Sequence, residues 1–221
     1  MDSLILLAKQ AVENYVKEEK IISVPDNLPE EFYKKRSGTF VTIEKDGAAP
    51  EWRASANKVG RELRGCIGTY LPTRVNIAEE IIHNAIAAAT EDYRFGPIKK
   101  EELPELSYTV YILSAPELVG ILGASTSRNY ENDNIRRLNL QKISRQLNPK
   151  KYGIIVKTAP ISPSGDVIFN GYFVAKTGLL LPNLETVDTV EKQILIACQK
   201  RGINPLKEKI LIYRFTVEKF E

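Results

Sequence analysis

The chain has few of the residues that mark metal sites and disulfide frameworks. Its 221 residues include two cysteines, Cys66 and Cys198, and one histidine, His83. The cysteines lie far apart without C-x-x-C spacing, so neither a zinc ribbon nor a disulfide-stapled secreted scaffold is indicated. A closed zinc site would need carboxylates to complete it, and we predict no metal site. Two free thiols favour a reducing, cytoplasmic location.

Long apolar runs and a strong charge bias are also missing. No apolar stretch approaches the roughly 20 residues that a membrane-spanning helix requires. An acidic residue follows Met1, where a signal peptide would carry lysine or arginine. The 31 basic and 28 acidic side chains give a formal net charge of +3, which is too weak for a dedicated nucleic-acid or membrane-surface protein. We therefore predict a soluble protein without nucleic-acid or membrane partners.

The composition is that of an ordinary globular protein. Hydrophobic residues make up 43% of the chain and charged residues 27%, which is enough for a sizeable core without cross-links. No flexible linker divides the chain, so we predict one domain over residues 1–221. The stretch from about 120 to 147 is rich in asparagine, serine and arginine and is predicted to be a surface insertion.

Three segments have apolar residues at helical spacing. The first runs from about Ser3 to Lys17, and the clearest runs from Ile77 to Thr90. The third is predicted to begin at Asp188, paired with Glu191 in a capping-box pattern, and to be closed by Gly202.

Strand-like runs lie between these helices. They are Thr39–Ile43, Leu63–Tyr70, Tyr108–Leu113, Gly153–Val156, Val167–Val174, Leu179–Leu181 and Ile210–Val217, with residues 52–63 as the far arm of a long hairpin. Paired strands between helices favour an α+β fold with a mostly antiparallel sheet over a doubly wound parallel sheet. The pair Gly65-x-x-Gly68 lacks the third glycine and the βαβ context of a dinucleotide site, so the sequence identifies no cofactor.

The segment that points to chemistry is Leu63-Arg64-Gly65-Cys66-Ile67-Gly68-Thr69. Its glycines let the backbone beside Cys66 approach a ligand closely. In a regular strand Arg64 and Cys66 share one face, where the arginine charge would lower the thiol pKa and favour a nucleophilic thiolate. The alternative, which the residues alone favour, is a buried cysteine whose neighbouring glycines serve close packing.

Two further groups are candidates for a site with Cys66. A nucleophilic cysteine usually needs a base, but His83 lies off the apolar stripe of its helix, and this position disfavours a Cys66–His83 dyad. Asp92 and Arg94 follow that helix in a loop, where they are expected to form either a ligand contact or a structural ion pair.

The cysteine motif is one of six segments that together form a recognisable pattern along the chain. These are Ser37–Thr42, Leu63–Thr69, Asn84-Ala85, Asp92-x-Arg94-Phe95, Tyr152-Gly153 and Gly178–Pro182. Together they resemble the AMMECR domain family, whose bacterial and archaeal members are also called AmmeMemoRadiSam system protein A. The likeness covers most of the chain, and departs from the family pattern at residues 46–62, 120–147 and 158–173.

The resemblance implies a barrel-like, mostly antiparallel sheet with flanking helices, built from two related strand-and-helix halves. It implies a cleft beside the cysteine motif and Memo-like and radical-SAM proteins as partners, but brings no established reaction, and the oligomeric state stays open.

Two functional classes follow from this resemblance. The first is a small-molecule binder or cysteine-dependent enzyme, in which Cys66 is the catalytic residue. Its binding residues would be Arg64, Gly65, Gly68, Thr69, Asp92 and Arg94. The second class is a non-catalytic module that docks a partner segment in the same cleft, for which an extended apolar groove would be typical.

Overall fold

The computed structural model describes residues 2–46, 61–123, 139–160 and 175–221. Its helices are α1 (Ser3–Glu18), α2 (Glu30–Lys34), α3 (Ile77–Thr90) and α4 (Val190–Gln199), with a 3-10 turn at Lys100–Glu105. Its strands are β1 (Thr39–Asp46), β2 (Arg61–Gly68), β3 (Leu106–Leu113), β4 (Glu117–Leu122), β5 (Gly153–Thr158), β6 (Thr177–Leu180), β7 (Ile210–Phe215) and β8 (Val217–Phe220). The predicted α+β class is confirmed.

The chain divides into two compact units, each with one four-stranded antiparallel sheet. The first unit comprises residues 1–115 and 218–221, and the second comprises residues 116–217. The strand orders are β2-β1-β3-β8 and β4-β7-β5-β6. Within the described ranges neither sheet closes on itself, so the barrel-like part of the expected fold is not confirmed. That the whole chain is a single domain stays a prediction.

Both units follow the same plan. In each, two strands pair as a hairpin, a helix follows, and a third strand then pairs with the first strand of the hairpin. The fourth strand of each sheet comes from elsewhere in the chain order, because β4 follows β3 but pairs with β7, while β8 follows β7 but lies beside β3.

A glycine lets the helix approach the hairpin in each unit. A Cβ added to Gly65 in β2 would lie 2.1 Å from the carbonyl oxygen of Ala88 in α3. A Cβ added to Gly178 in β6 would lie 1.9 Å from the carbonyl oxygen of Ala197 in α4. Both distances are far inside van der Waals contact, so only glycine permits this strand-to-helix approach.

In each unit a buried side-chain amide also bonds the helix to the sheet. It lies one turn before the alanine that the glycine approaches. In α3, Asn84 Nδ2 donates to the carbonyl oxygen of Thr39 at 3.0 Å. In α4, Gln193 Nε2 donates to the carbonyl oxygen of Tyr152 at 2.8 Å. The two halves are thus related in detail as well as in strand order, as the family resemblance implied.

The start of α4 differs from the prediction. Thr189 is the N-cap, and its hydroxyl accepts a hydrogen bond from the Lys192 backbone nitrogen at 3.2 Å. The predicted start at Asp188 was therefore early. Gly202 lies three residues past the helix end with a φ of +60°, in the left-handed region that glycine favours.

The second unit contains the other corrections. The predicted last strand is two strands, because the chain leaves β7 after Phe215 and enters β8 at Val217. The predicted surface insertion overlaps the fold at both ends, since Gly120 lies in β4 and the side chains of Ile143 and Leu147 are buried in the second core. Residues 124–138, the predicted strand at 167–174 and most of the hairpin arm at 52–63 lie outside the described ranges.

The first core contains the apolar face of α1, where Leu4, Ala8 and Val12 are fully buried, and Phe220 of β8 packs against it. The two chain ends therefore belong to the same unit. None of the helices in the described ranges is both long enough and apolar enough to span a membrane.

Candidate functional site

The strand β2 places Cys66 on the face of the first sheet that points away from α3. Gly65 is adjacent and faces the helix, as its contact with Ala88 shows. Because successive side chains of a strand point to opposite faces, Cys66 lies on the other side of the sheet from α3. There it is half-buried, directly across from Thr42 of β1.

A β-bulge interrupts the alternation on which the sequence analysis relied. Ile43 pairs with Gly65 and Glu44 pairs with Leu63, so Arg64 is an extra residue without a partner in β1. A bulge redirects the side chain that it carries. Arg64 and Cys66 therefore do not share a face as a regular strand would require.

The guanidinium of Arg64 forms its hydrogen bonds with residues that follow α3. Its Nε and Nη2 donate to the two carboxylate oxygens of Glu102 at 2.8 and 3.0 Å. Its remaining bonds go to the carbonyl oxygens of Gly96 and Pro97 at 2.8 and 3.1 Å. The arginine holds the pKa of Glu102 down at about 2. This side chain fixes the loop and is not directed at the thiol.

Asp92 links that loop to the backbone of Cys66. Its Oδ2 accepts a hydrogen bond from the Cys66 nitrogen at 2.9 Å, and the same oxygen pairs with Nη2 of Arg94 at 2.6 Å. The Asp92 side chain is 2% exposed. Hydrogen bonds from Arg94 hold the pKa of Asp92 down to about 2, with the Cys66 backbone bond adding to the shift.

Arg94 is the cation that the structure brings next to Cys66. Its Nη2 lies 3.5 Å from the Cys66 carbonyl oxygen. Its side chain is 44% exposed, and its guanidinium lies 5.3 Å from the centroid of the Phe95 ring. Asp92 and Arg94 therefore form the ion pair that was one of the two expectations for them, and Arg94 still reaches solvent beside the motif.

The thiol itself has a polar partner. The Thr42 hydroxyl donates to Cys66 Sγ at 3.2 Å. Tyr111 of β3 pairs with Phe40, so it lies on the same sheet face as Thr42 and Cys66. Burial raises the pKa of Tyr111 to about 12, and negative charge at Cys66 adds to this shift. Tyr111 therefore keeps its proton at neutral pH and remains a hydrogen-bond donor.

His83 lies away from this group. It projects from α3, which covers the opposite face of the sheet, and it lines a cavity with Glu79, Ile82 and residues 21–24. The structure therefore gives no support to a Cys66–His83 dyad. Any thiolate chemistry at Cys66 would have to begin from a thiol that ionises without this base.

Thr69 contributes to a second cluster, around the carboxylate of Glu80. This side chain is 1% exposed. It accepts hydrogen bonds from the hydroxyls of Thr69 and Thr73 at 2.6 and 2.9 Å, and from the backbone nitrogens of Thr73 and Arg74, both at 2.7 Å. Burial raises the pKa of Glu80, but these donors outweigh it and leave the pKa below its ordinary value. The cluster holds residues 69–74 in place.

Gly68 has a packing role. A Cβ there would lie 2.3 Å from the Phe40 ring and equally close to the Thr39 carbonyl oxygen. The Phe40 ring thus covers the strand where a side chain would otherwise stand. Of the predicted site residues, Cys66, Asp92 and Arg94 come together, Arg64 and Gly65 support them, and Gly68 and Thr69 lie at the far end of the motif.

Sequence reasoning did not assign Thr42 or Glu102 to the site, and it interpreted Tyr111 as a core or sheet-surface residue. Because side chains alternate along β1, Thr42 lies on the other face of the strand from the apolar residues Val41 and Ile43. This alternation indicated a polar position at Thr42. The register that sets Thr42 across from Cys66 had no signal in the sequence.

Cys66 lines neither of two cavities that are formed by residues of the described ranges. The first is the cavity lined by His83, Glu79, Ile82 and residues 21–24, which we call the His83 cavity. Its volume is about 340 Å³. An apolar groove of about 710 Å³ lies in the second unit, between α4 and residues 202–206. Among the described residues, no three histidine, cysteine or acidic side chains converge as a metal site would require.

These features define an α+β protein with two antiparallel sheets and a glycine-flanked cysteine on an edge strand of the first. The chain belongs to the AMMECR1 family, whose sequence model matches residues 5–220. A protein of Thermotoga maritima is 41% identical over 215 residues, which are 97% of this chain and 94% of the relative.

Two further relatives extend the comparison. A Clostridium acetobutylicum protein is 34% identical over 220 residues, which are 99% of this chain and 35% of the relative, so this chain spans about a third of that protein's length. The crystal structure of an uncharacterized protein from Pyrococcus horikoshii matches with a TM-score of 0.68 and 29% identity, over 98% of this chain and 88% of that one. None of these names states an activity.

Proposed function

We propose that the motif segment, Arg64–Thr69, is a small-molecule site in which the thiolate of Cys66 is the reacting or ligating group. The hydrogen bond from the Thr42 hydroxyl to Cys66 Sγ carries the proposal. A hydroxyl that donates to sulfur stabilises the thiolate more than the thiol, because the charged acceptor forms the stronger bond.

Arg94 supports this proposal and indicates the ligand's charge. Its Nε and Nη2 bond Asp92, whereas within the described ranges no acceptor bonds its Nη1. Since the side chain is 44% exposed, this nitrogen is available to an anionic group such as a carboxylate. The ligand that fits is therefore a small anion whose reactive atom reaches Cys66.

Memo-like and radical-SAM proteins are the proposed partners, and they would supply or consume this ligand. The Clostridium relative supports a joint role, because the region that matches this chain makes up 35% of a longer protein. A family domain that occurs within a longer chain is expected to act beside another module.

A second candidate function is the docking of a partner segment at the same motif, without catalysis. Three large exposed apolar side chains adjoin the motif or its ion pair along the chain. Leu63 is 39% exposed, Leu71 is 51% exposed and Tyr93, between Asp92 and Arg94, is 94% exposed. A contiguous patch of such side chains would be typical of a protein interaction site.

Alkylation of the two thiols tests the thiolate proposal. The rate of reaction with iodoacetamide would be measured for Cys66 and Cys198 in the folded protein between pH 6 and 9. Cys198 is fully buried, and burial raises its pKa to about 11. We expect Cys66 to react much faster than Cys198, and its rate at neutral pH to fall in Thr42→Val and Arg94→Gln.

Lys34→Gln is the control, because this cation is 70% exposed on α2 and belongs neither to the motif nor to the loop after α3, so the Cys66 rate should stay unchanged. If Cys66 reacts no faster than Cys198, and only on unfolding, the thiolate proposal is wrong. Substitution of Leu71 and Tyr93 by serine would then test docking, with binding to a purified Memo-like protein measured by calorimetry.

A further inference from the structure

The His83 cavity lies in the first unit, between residues 21–24 and α3, from which Glu79, Ile82 and His83 line it. Its volume of about 340 Å³ is at the lower end of the range of small-molecule sites, roughly 300–1,000 Å³. Because α3 covers the sheet face opposite Cys66, this cavity is separate from the motif segment. Its chemistry can therefore be considered by itself.

One wall of the cavity is apolar. Residues 21–24 form no helix or strand, and among them Ile22 and Val24 are half-buried and pack against the first core. Ile82 continues this wall from α3 and is 2% exposed. Such a surface suits the aliphatic part of a small molecule, since burying apolar area there removes it from water.

The other wall is polar and carries acceptors. Glu79 and His83 are four residues apart on α3, so their side chains share one helix face. Within the described ranges, neither the Glu79 carboxylate nor the His83 ring makes a hydrogen bond. Both groups also line the cavity, where a ligand could bond them.

The charged side chain in the cavity lining is Glu79, and its carboxylate favours a cation. Burial lowers the pKa of His83, and the positive charge of Arg74 lowers it further, against the opposing effect of Glu79 and Glu80. The imidazole is therefore neutral at pH 7 and offers a lone pair. A ligand in the cavity would meet this neutral ring and the carboxylate of Glu79.

We propose that the His83 cavity binds a small primary ammonium ion. The ammonium group donates to the Glu79 carboxylate and to the free ring nitrogen of His83, and the aliphatic chain packs on Ile22, Val24 and Ile82. Two acceptors beside an apolar wall suit an ammonium head on a short alkyl chain, because the head supplies several donors and a positive charge. A carboxylate of the same size would be repelled by Glu79.

The single histidine makes a clean test, because the imidazole signals of the folded protein belong to His83 alone. Butylammonium, butyrate and 1-butanol would each be titrated into isotope-labelled full-length protein at pH 7 while these signals are recorded. We expect a saturable shift with butylammonium only, with a dissociation constant on the order of 1 mM for so small a ligand. Binding should also lower the His83 pKa, because the bound cation disfavours the imidazolium.

Glu79→Gln removes the charge while keeping the shape, and since this side chain makes no hydrogen bond within the described part of the chain, the variant should fold. We expect it to weaken butylammonium binding at least tenfold. Glu101→Gln, an exposed site on the 3-10 turn, is the matched control and should bind as the parent does. The proposal is overturned if butylammonium gives no saturable shift, if butyrate binds as well as butylammonium, or if Glu79→Gln binds butylammonium unchanged.

Discussion

Asp92 Oδ2 lies 2.9 Å from the backbone nitrogen of Cys66 and accepts its hydrogen bond. The same carboxylate is paired with Arg94 at 2.6 Å. One buried group therefore sets the position of the cysteine backbone and of the cation beside it. The geometry of the candidate site depends on this link more than on the arginine within the motif.

Asp92→Asn should destabilise the protein by about 2–4 kcal/mol, because it removes the charge from a buried, hydrogen-bonded ion pair. The change would be measured by urea unfolding at pH 7. Asp188→Asn, at an exposed position beside α4, is the control and should leave the free energy of unfolding close to that of the parent. Equal stability of the two variants would show that Asp92 does not hold the site together.

The stability of the protein should fall as the pH is lowered from about 5 towards 2. The pKa values of Asp92 and Glu102 are both about 2 in the folded protein, below their unfolded values of roughly 3.9 and 4.3. Each carboxylate therefore contributes stability that is fully present above its unfolded pKa and is lost as the pH falls through the folded value.

Urea unfolding at pH 3 and pH 6 would measure this dependence. The double variant D92N/E102Q should lose less stability between these two pH values than the parent does. If its pH dependence is as steep as the parent's, other carboxylates are responsible.

Gly65→Ala should destabilise the protein strongly, by about 3 kcal/mol or more, or prevent folding. The added Cβ would lie 2.1 Å from the Ala88 carbonyl oxygen, so β2 and α3 would have to separate. Gly178→Ala should act alike in the second unit, where the added Cβ would lie 1.9 Å from the Ala197 carbonyl oxygen of α4.

Gly96→Ala is the matched control for both variants. Nothing lies within 4 Å of a Cβ at Gly96, so its unfolding midpoint in urea should stay close to the parent's. A Gly65→Ala protein as stable as Gly96→Ala would show that the close approach of strand and helix is not required.

If the chain is a single cooperative domain, deletion of residues 217–221 should lower the stability of the second core. The deletion removes β8 from the first sheet and Phe220 from the first core. Alkylation of Cys198, which is fully buried in the second core, would report the opening of that core at increasing urea concentration. We expect its midpoint to fall together with that of the circular dichroism signal.

Lys219→Ala, which keeps β8, is the control and should leave both midpoints nearly unchanged. If Cys198 of the deletion variant stays protected from alkylation up to the same urea concentration as in the parent, the two units unfold independently. The single-domain prediction then fails.

The sequence by itself determined the longer helices and most of the described strands, although α2 and β4 were not predicted. The apolar stripe from Ile77 to Thr90 matched α3 to the residue, because helical periodicity is a local property that a buried face imposes on the chain. The α+β class followed from the order of such elements. The glycines of the motif also indicated close packing of the backbone, although not against which element.

Only the tertiary structure decided which polar groups meet. The bulge at Arg64 has no sequence signal, since it depends on the register between β1 and β2, and it sends this arginine to Glu102. The same register sets Thr42 across from Cys66, and the path of the loop after α3 brings Arg94 to the motif. Strand register and loop path depend on contacts between residues distant in sequence, and periodicity along the chain carries no record of them.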